Sequence, residues 1–561
     1  MSIHAYNIGM YVRTITRRNK DGSKVSYIQL AHNVRDKEKG YARAEVIYSF
    51  GRADELDIEA IRRLVKSLCR FLPPEEAVKS RGLFDNGAED LEFVSSVPMG
   101  GAYILRKLWE RLGLDKVIAG ALKEREIRTP VEWAIFAMAA NRALSPDSKR
   151  AVEEWVKEDV ALGNPEPICL QHLYRAMDFL LEHEEAVQKE VFFATADLFN
   201  LEVDLVFFDT TSTYIERDEE DETGLRRYGH SKDKRPDLPQ VVIGLAVTRE
   251  GIPVRCWVLP GNTSDMKTVE MVKRDLKGWK LSRCIWVMDR GMNSEENRIM
   301  LQRAGGHYIL GEKLRDASGN YKEALSCPGR YHDVRENLKV KEVTVGSGER
   351  RRRFVVVYNP EQAGKDKKAR EKTLRRIEEA LDTLGEQKGK AHKKSVCALL
   401  SHRTMGRYLK QLKSGKIKID RAKVKAEESL DGKYLLTTSD DSLSAEDAAL
   451  GYKQLLEVER AFRTLKTTLE LRPVYHRKDE RIMAHVLICF LALVLVRICE
   501  RQTGLSWNRI RAIMDRIHLV TFESKDRRIL QRTELTPEQS NILKKLNIPH
   551  PPKVFKVNLK G

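Results

Sequence analysis

The sequence predicts a mixed α/β protein whose principal sheet is built from two separated stretches of the chain. Residues 203–208 form an almost unbroken apolar run ending in Asp209, and 284–288 form a second, of the fully buried type, ending in Asp289. From 203 to 314 the chain reads strand, strand, strand, helix, strand, helix, strand, with strands at Gln240–Thr248, 254–259 and 307–314 and helices over 266–277 and 294–304. A further strand, Lys433–Thr438, resumes the pattern after a long charged interruption.

The remaining elements follow in order. Residues 1–95 open with strand-like pieces at 11–16, 27–34 and 44–50, broken by charged turns such as Lys20-Asp21-Gly22, and a helix over 57–71 comes next. From 96 to 200 apolar residues recur at helical spacing, as in Leu105, Leu108, Leu112 and Leu114, and again in Val131, Ile135, Met138 and Ala139. This helical region reads either as a recognition module or as support for the domain after it. The core is expected over 201–314 and 431–500, with 315–430 as an inserted domain carrying strands at 340–345 and 353–358. Helices rich in Leu and Arg are expected to 535, inside a C-terminal region of 501–561 that ends in a polar, Pro-marked tail.

A chain of 561 residues exceeds what one core organises, so several domains are expected. Its net charge of +18 points to a polyanionic partner. The charge is concentrated: residues 361–430 hold 20 Lys and Arg against 10 Asp and Glu. A solvated helical face and a phosphate-binding surface both account for it, and counterion release favours the second. The most apolar stretch, 486–496, is eleven residues between His485 and Arg497, too short to cross a bilayer. No secretory signal opens the chain, so a cytoplasmic protein is expected. Eight cysteines without a C-x-x-C pair fit neither a zinc ribbon nor a disulfide framework.

Two strands ending in aspartate place two carboxylates at neighbouring sheet edges if the strands are adjacent. With a third from a packed helix they would hold divalent cations through oxygen. Asp209 is followed by Thr210-Thr211-Ser212, small hydroxyl residues that leave room for a phosphate, although an aspartate there also serves as a turn residue. Gly291, two residues after Asp289, permits close backbone approach. The third carboxylate falls on a helix expected to start at Ser444, capped with Asp447, and to run until Pro473. Leu455, Val458, Phe462, Leu465 and Leu469 define its core face, and Glu459 borders that face. Tyr452, Glu459 and Lys466 fall seven residues apart and form one stripe. His485, on the apolar helix that follows, reads as a satisfied buried histidine.

At these residues the chain resembles the DDE transposases of bacterial insertion sequences, in the group with a β-rich insertion between the second Asp and the Glu. The group's helix signature is Y-x2-R-x3-E-x6-K; Tyr452, Glu459 and Lys466 match it, and Leu455 stands where it has arginine. Gly251-Ile252-Pro253 and Pro260-Gly261-Asn262-Thr263-Ser264-Asp265 resemble the group's segments between the two aspartates. The resemblance implies an RNase H-like core with Asp209, Asp289 and Glu459 as catalytic metal ligands and Mg²⁺ as the ion, Mn²⁺ substituting. It implies that Tyr452 and Lys466 position the DNA end, with Arg460 or Arg463 in the role of the missing arginine. Asn262 and Asp265 would shape the site, with a loop cap as the other account of both, and Trp257 would stack on a flipped base. The implied partners are double-stranded DNA, at the terminal repeats and the target, and a second copy on DNA, with no membrane. A nuclease of the same fold without strand transfer, and an inactive DNA-binding derivative, are the alternatives.

Overall fold

The computed structural model describes residues 9–19, 22–35, 42–68, 71, 91–123, 129–163, 167–199, 201, 203–217, 219–279, 281, 284–315, 320–348, 351–386, 389–523 and 527–559. Lys20 and Asp21 of the first expected turn lie outside them. The chain divides into two compact units, one of residues 1–94, 521–529 and 556–561, the other of 95–520 and 530–555.

The smaller unit contains an antiparallel sheet in sequence order, β1 Met10–Arg18, β2 Lys24–Arg35 and β3 Ala42–Arg52, and helix α1 Ile58–Leu68. The expected strands are present and longer than their apolar cores.

The larger unit begins with helices α2 Gly100–Arg111, α3 Leu114–Leu122, α4 Val131–Leu144, α5 Leu170–Glu182 and α6 Glu184–Phe199. Nearly every residue of α4 is buried, because it lies between α5 and the last long helix of the chain. Its main sheet then opens with β4 Leu205–Tyr214, β5 Gln240–Thr248 and β6 Pro253–Pro260, joined as an antiparallel meander. Helix α7 Asp265–Asp275, strand β7 Ile285–Met288, helix α8 Glu295–Gln302 and strand β8 His307–Gly311 follow. β7 pairs parallel with β4 and with β8. Ser294 caps α8 through the amide of Asn297, as expected.

Residues 332–358, expected to belong to a separate inserted domain, extend this same sheet. β9 His332–Arg335, β10 Leu338–Val345 and β11 Arg352–Tyr358 form an antiparallel run. It is followed by helices α9 Pro360–Glu386 and α10 Gly389–Ser401. Strand β12 Lys433–Thr438 pairs antiparallel with β11 on one side and β8 on the other. The nine strands run β9-β10-β11-β12-β8-β7-β4-β5-β6.

Three expectations change. The helix expected from Ser444 to Pro473 is broken into α11 Ala445–Lys453, α12 Leu456–Arg463 and a wider π turn over Thr464–Thr468. Tight bonds, such as Leu455 N–H to Tyr452 C=O and Glu457 N–H to Gln454 C=O, shift the register at the first break. Periodicity continues on both sides of it, so the break left no mark in the sequence. The eleven-residue apolar stretch belongs to a much longer helix, α13 Asp479–Thr503, closed by Gly504 in the left-handed region (φ 74°). α13 is long and apolar enough to cross a membrane, yet 89% of its apolar window is buried inside the protein, against α4, α5 and β6. Finally, the C-terminal region is not all helix: His518–Glu523 and Arg527–Arg532 are strands, where Val520, Thr521 and Phe522 suit an extended backbone. The tail contains a helix, Pro537–Lys545, and a strand, Val554–Leu559.

Candidate active site

Side chains alternate across a strand, and the two cores on either side of the sheet record that alternation. Leu205 and Phe207 of β4, with Ile285 and Val287 of β7, belong to the core shared with α11, α12 and α13. Val206 and Phe208, with Trp286 and Met288, face the opposite core beneath α7 and α8. Asp209 and Asp289 therefore fall on the parity that faces α11–α13. Their strands are parallel and in register, Phe208 opposite Met288, so the two aspartates follow at the same level.

Asp289 directly follows its strand, but Asp209 does not end one: β4 continues through Tyr214, because the Thr and Ser residues after it pair with β5. β7 stops at Met288, which leaves the second half of β4 without a strand on that side. Residues from the loop between β4 and β5 cover this edge. Lys232 N–H donates to Ser212 Oγ at 2.8 Å, and its ammonium donates to the Thr210 carbonyl and hydroxyl at 2.7 and 2.8 Å. The same nitrogen lies 3.7 Å from Asp209 Oδ1 and 3.4 Å from Asp265 Oδ2. Thr210 in turn donates its hydroxyl to Asp265 Oδ1 at 2.5 Å. Burial pushes the Asp209 carboxyl up to about 6; Lys232 opposes the rise, and the carboxylates of Asp265 and Asp289 add to it.

The expected helix residues occupy distinct places. Tyr452, on α11, donates to Asp289 Oδ1 at 3.0 Å and stacks on Tyr434 with ring centroids 6.0 Å apart. Burial, with Asp289 beside it, pushes its phenol well above the usual range. Lys466 donates to the Ser212 carbonyl and to Asp233 Oδ1, each at 2.9 Å, so its charge is engaged within the protein. Glu459 lies between these anchors on α12, which packs against β4 and β5; it is exposed, and no hydrogen bond or ion pair engages it among the described residues. Among those residues no three His, Cys, Asp or Glu side chains converge as a metal-holding group. The structure thus brings Asp209 and Asp289 together and leaves Glu459 on the helix that covers their face.

Arg463 is exposed near the end of α12, whereas Arg460 is paired with Glu457 at 2.6 Å. Leu455 is half-buried against the core. Asn262 is exposed in the turn after β6. Trp257 departs from the expectation of base stacking: it is 7% exposed, meets Phe208 edge-on and donates its indole N–H to Asp275 at 3.0 Å. Its aromatic face is committed to the core. His485 is buried and pairs with the Leu471 carbonyl at 3.2 Å.

One feature escaped the sequence reading: Lys232 sits in a polar loop with no periodicity to mark it. Asp265, expected from the Pro-Gly-Asn segment to shape the site, accepts from the Thr210 hydroxyl beside Lys232. A cavity of about 800 Å³ opens from Asp289, Tyr452 and Tyr434 toward the insertion, and Arg290, Lys313 and Arg403 line it without a charged partner among the described residues.

Comparison with known proteins places the chain in a family. Residues 204–495, more than half of the chain, match the family described as the transposase DDE domain. Residues 12–77 match the N-terminal domain of the IS1634 family transposases. A cryo-EM structure of the piggyBac transposase synaptic complex with hairpin DNA is similar over 75% of this chain and 82% of that one, at 10% sequence identity and a TM-score of 0.34. No curated protein matches. On the extent of the catalytic-domain match, the chain belongs to the DDE transposases of insertion sequences.

Proposed function

We propose that this transposase hydrolyses DNA at the ends of its element and joins the freed 3′-hydroxyl to target DNA, with Asp209, Asp289 and Glu459 as its catalytic carboxylates. The observation that carries the reading is the in-register placement of Asp209 and Asp289 on adjacent parallel strands, facing the helix that bears Glu459. The strand order β6-β5-β4-β7-β8, an antiparallel meander joined to parallel strands, supports an RNase H-like core over 201–314 and 431–500. Residues 315–430 are then its insertion.

The residues present fit a divalent ion, and Mg²⁺ is the one proposed. The donors are hard oxygens, and Asp209, Asp265 and Asp289 crowd negative charge that favours a cation. Asp209 and Asp289 would hold it, with Glu459 proposed as the third carboxylate. A divalent ion held by these carboxylates would supply Lewis-acid activation of the attacking water and of the leaving oxygen. Tyr452 fixes the orientation of Asp289, and Lys466 ties the turn after Glu459 to β4. Phosphates of the bound strand meet the cations lining the cavity beside Asp289. Two ends cut in concert call for two copies on DNA.

A strand-transfer assay with terminal-repeat DNA tests the proposal. Wild-type protein yields cut and joined products, and Asp209→Ala yields neither while still binding DNA. Products cut but never joined would replace this reading with a nuclease, and binding without metal-dependent cleavage would leave only a DNA-binding protein.

A further inference from the structure

The loop between β4 and β5 is a fixed strap. Arg227 and Gln240 exchange backbone bonds at 3.1 and 3.0 Å, Gly261 N–H donates to the Leu225 carbonyl at 2.9 Å, and Leu225 N–H donates to Asp479 at 2.9 Å. Asp233 is held between Lys466 at 2.9 Å and Arg472 at 3.0 Å. Together with the Ser212 bond, these ties deliver the Lys232 ammonium to the carboxylate site. It is placed by two hydrogen bonds to Thr210, while the Asp209 and Asp265 oxygens stand just outside hydrogen-bond length.

We propose that Lys232 is a built-in counter-cation of the Asp209–Asp265 pair, a positioning residue that weakens the hold of the DNA-free site on divalent ions. The inference rests on Asp209 being a metal ligand, as proposed above. A protonated amine has no lone pair to offer a metal, and its charge repels an ion bound at the same carboxylate. A strand phosphate arriving at the site brings the negative charge that offsets this repulsion. Tight metal binding is thereby reserved for the DNA-bound enzyme.

A purely structural role, closing the unpaired edge of β4, is the alternative, and a neutral donor separates the two. Lys232→Gln retains hydrogen-bond donation toward the Thr210 carbonyl and removes the charge; Lys232→Arg retains the charge. Mn²⁺ binding to the full-length, DNA-free protein is measured by electron paramagnetic resonance titration. Lys232→Gln is expected to bind Mn²⁺ roughly tenfold more tightly than wild type, and Lys232→Arg within about twofold of it. Unchanged or weaker binding by Lys232→Gln overturns the proposal, as does Lys232→Arg tightening as much as Lys232→Gln. Asp209→Asn distinguishes the underlying reading. If it leaves wild-type Mn²⁺ binding unaltered, Asp209 is not a ligand and both proposals fall; if it abolishes binding that Lys232→Gln does not move, only this one does.

Discussion

The hydroxyl of Tyr452 donates to Asp289 Oδ1 at 3.0 Å, joining the helix before Glu459 to the end of β7. The bond leaves one orientation of the Asp289 carboxylate favoured. Tyr452→Phe is expected to slow single-turnover cleavage about 10–100-fold, the usual loss when a group orienting a metal ligand is removed. DNA affinity should hold. An unchanged cleavage rate would remove Tyr452 from the catalytic arrangement.

Two glutamates on α12 make opposite predictions. Glu457 pairs with Arg497 at 2.9 Å and with Arg460 at 2.6 Å, whereas Glu459 has no partner among the described residues. Glu457→Gln should lower thermal stability by about 1–3 kcal/mol, since it weakens a half-buried pair. Glu459→Gln should leave the melting temperature in place and reduce cleavage by about 10³-fold or more. The reverse pattern would make Glu457 the third carboxylate.

Lys149 supplies a pH test. Its side chain is buried beside Arg142, Cys489, His476 and His485, and its ammonium has no hydrogen-bond partner among the described residues. Burial, reinforced by Arg142, pulls its pKa down to about 7. Between pH ~7 and ~10 the unfolded chain binds more protons than the folded one, so this group makes stability rise with pH across that window. Below it the full penalty stands, about 4–5 kcal/mol at 1.36 kcal/mol per unit. Lys149→Met should therefore raise the melting temperature most near pH 6, with the gain shrinking toward pH ~10. A pH-independent gain would show that Lys149 keeps an ordinary lysine pKa in the fold.

The cavity beside Asp289 predicts a salt effect. Arg403→Ala and Lys313→Ala should each reduce the slope of log affinity against log salt by about 0.9 on duplex DNA and about 0.7 on a single strand. Slopes unchanged in both variants would place the DNA elsewhere.

Gly261 is required by space. A methyl group there would collide with the backbone carbonyls of Gln240 and Arg227, and no side-chain rotation relieves a backbone clash. Gly261→Ala should cost about 2–4 kcal/mol in chemical unfolding, in the range of overpacked sites. It should also release the strap that carries Lys232. Near-neutral stability would show that the strap yields.

What the sequence revealed depended on periodicity. The buried runs before Asp209 and Asp289 declared both strands, and Val458 and Phe462 marked the core face of α12 in advance, as Leu465 did that of the π turn after it. The break at residues 454–455 is invisible because a change of helical register leaves the apolar spacing on each side intact. Lys232 was hidden for a related reason: its place is fixed by backbone bonds of a polar strap, which no side-chain pattern reports. Leu455, already set on the core face by its apolar spacing, packs against the core at the start of α12.

β12 has a strand on both sides, β8 of the core and β11 of the insertion. Residues 315–430 therefore supply the neighbour that closes the sheet at its growing side. A chain shortened by removing them would present the backbone of β12 bare to solvent, an invitation for other copies to add strands and aggregate.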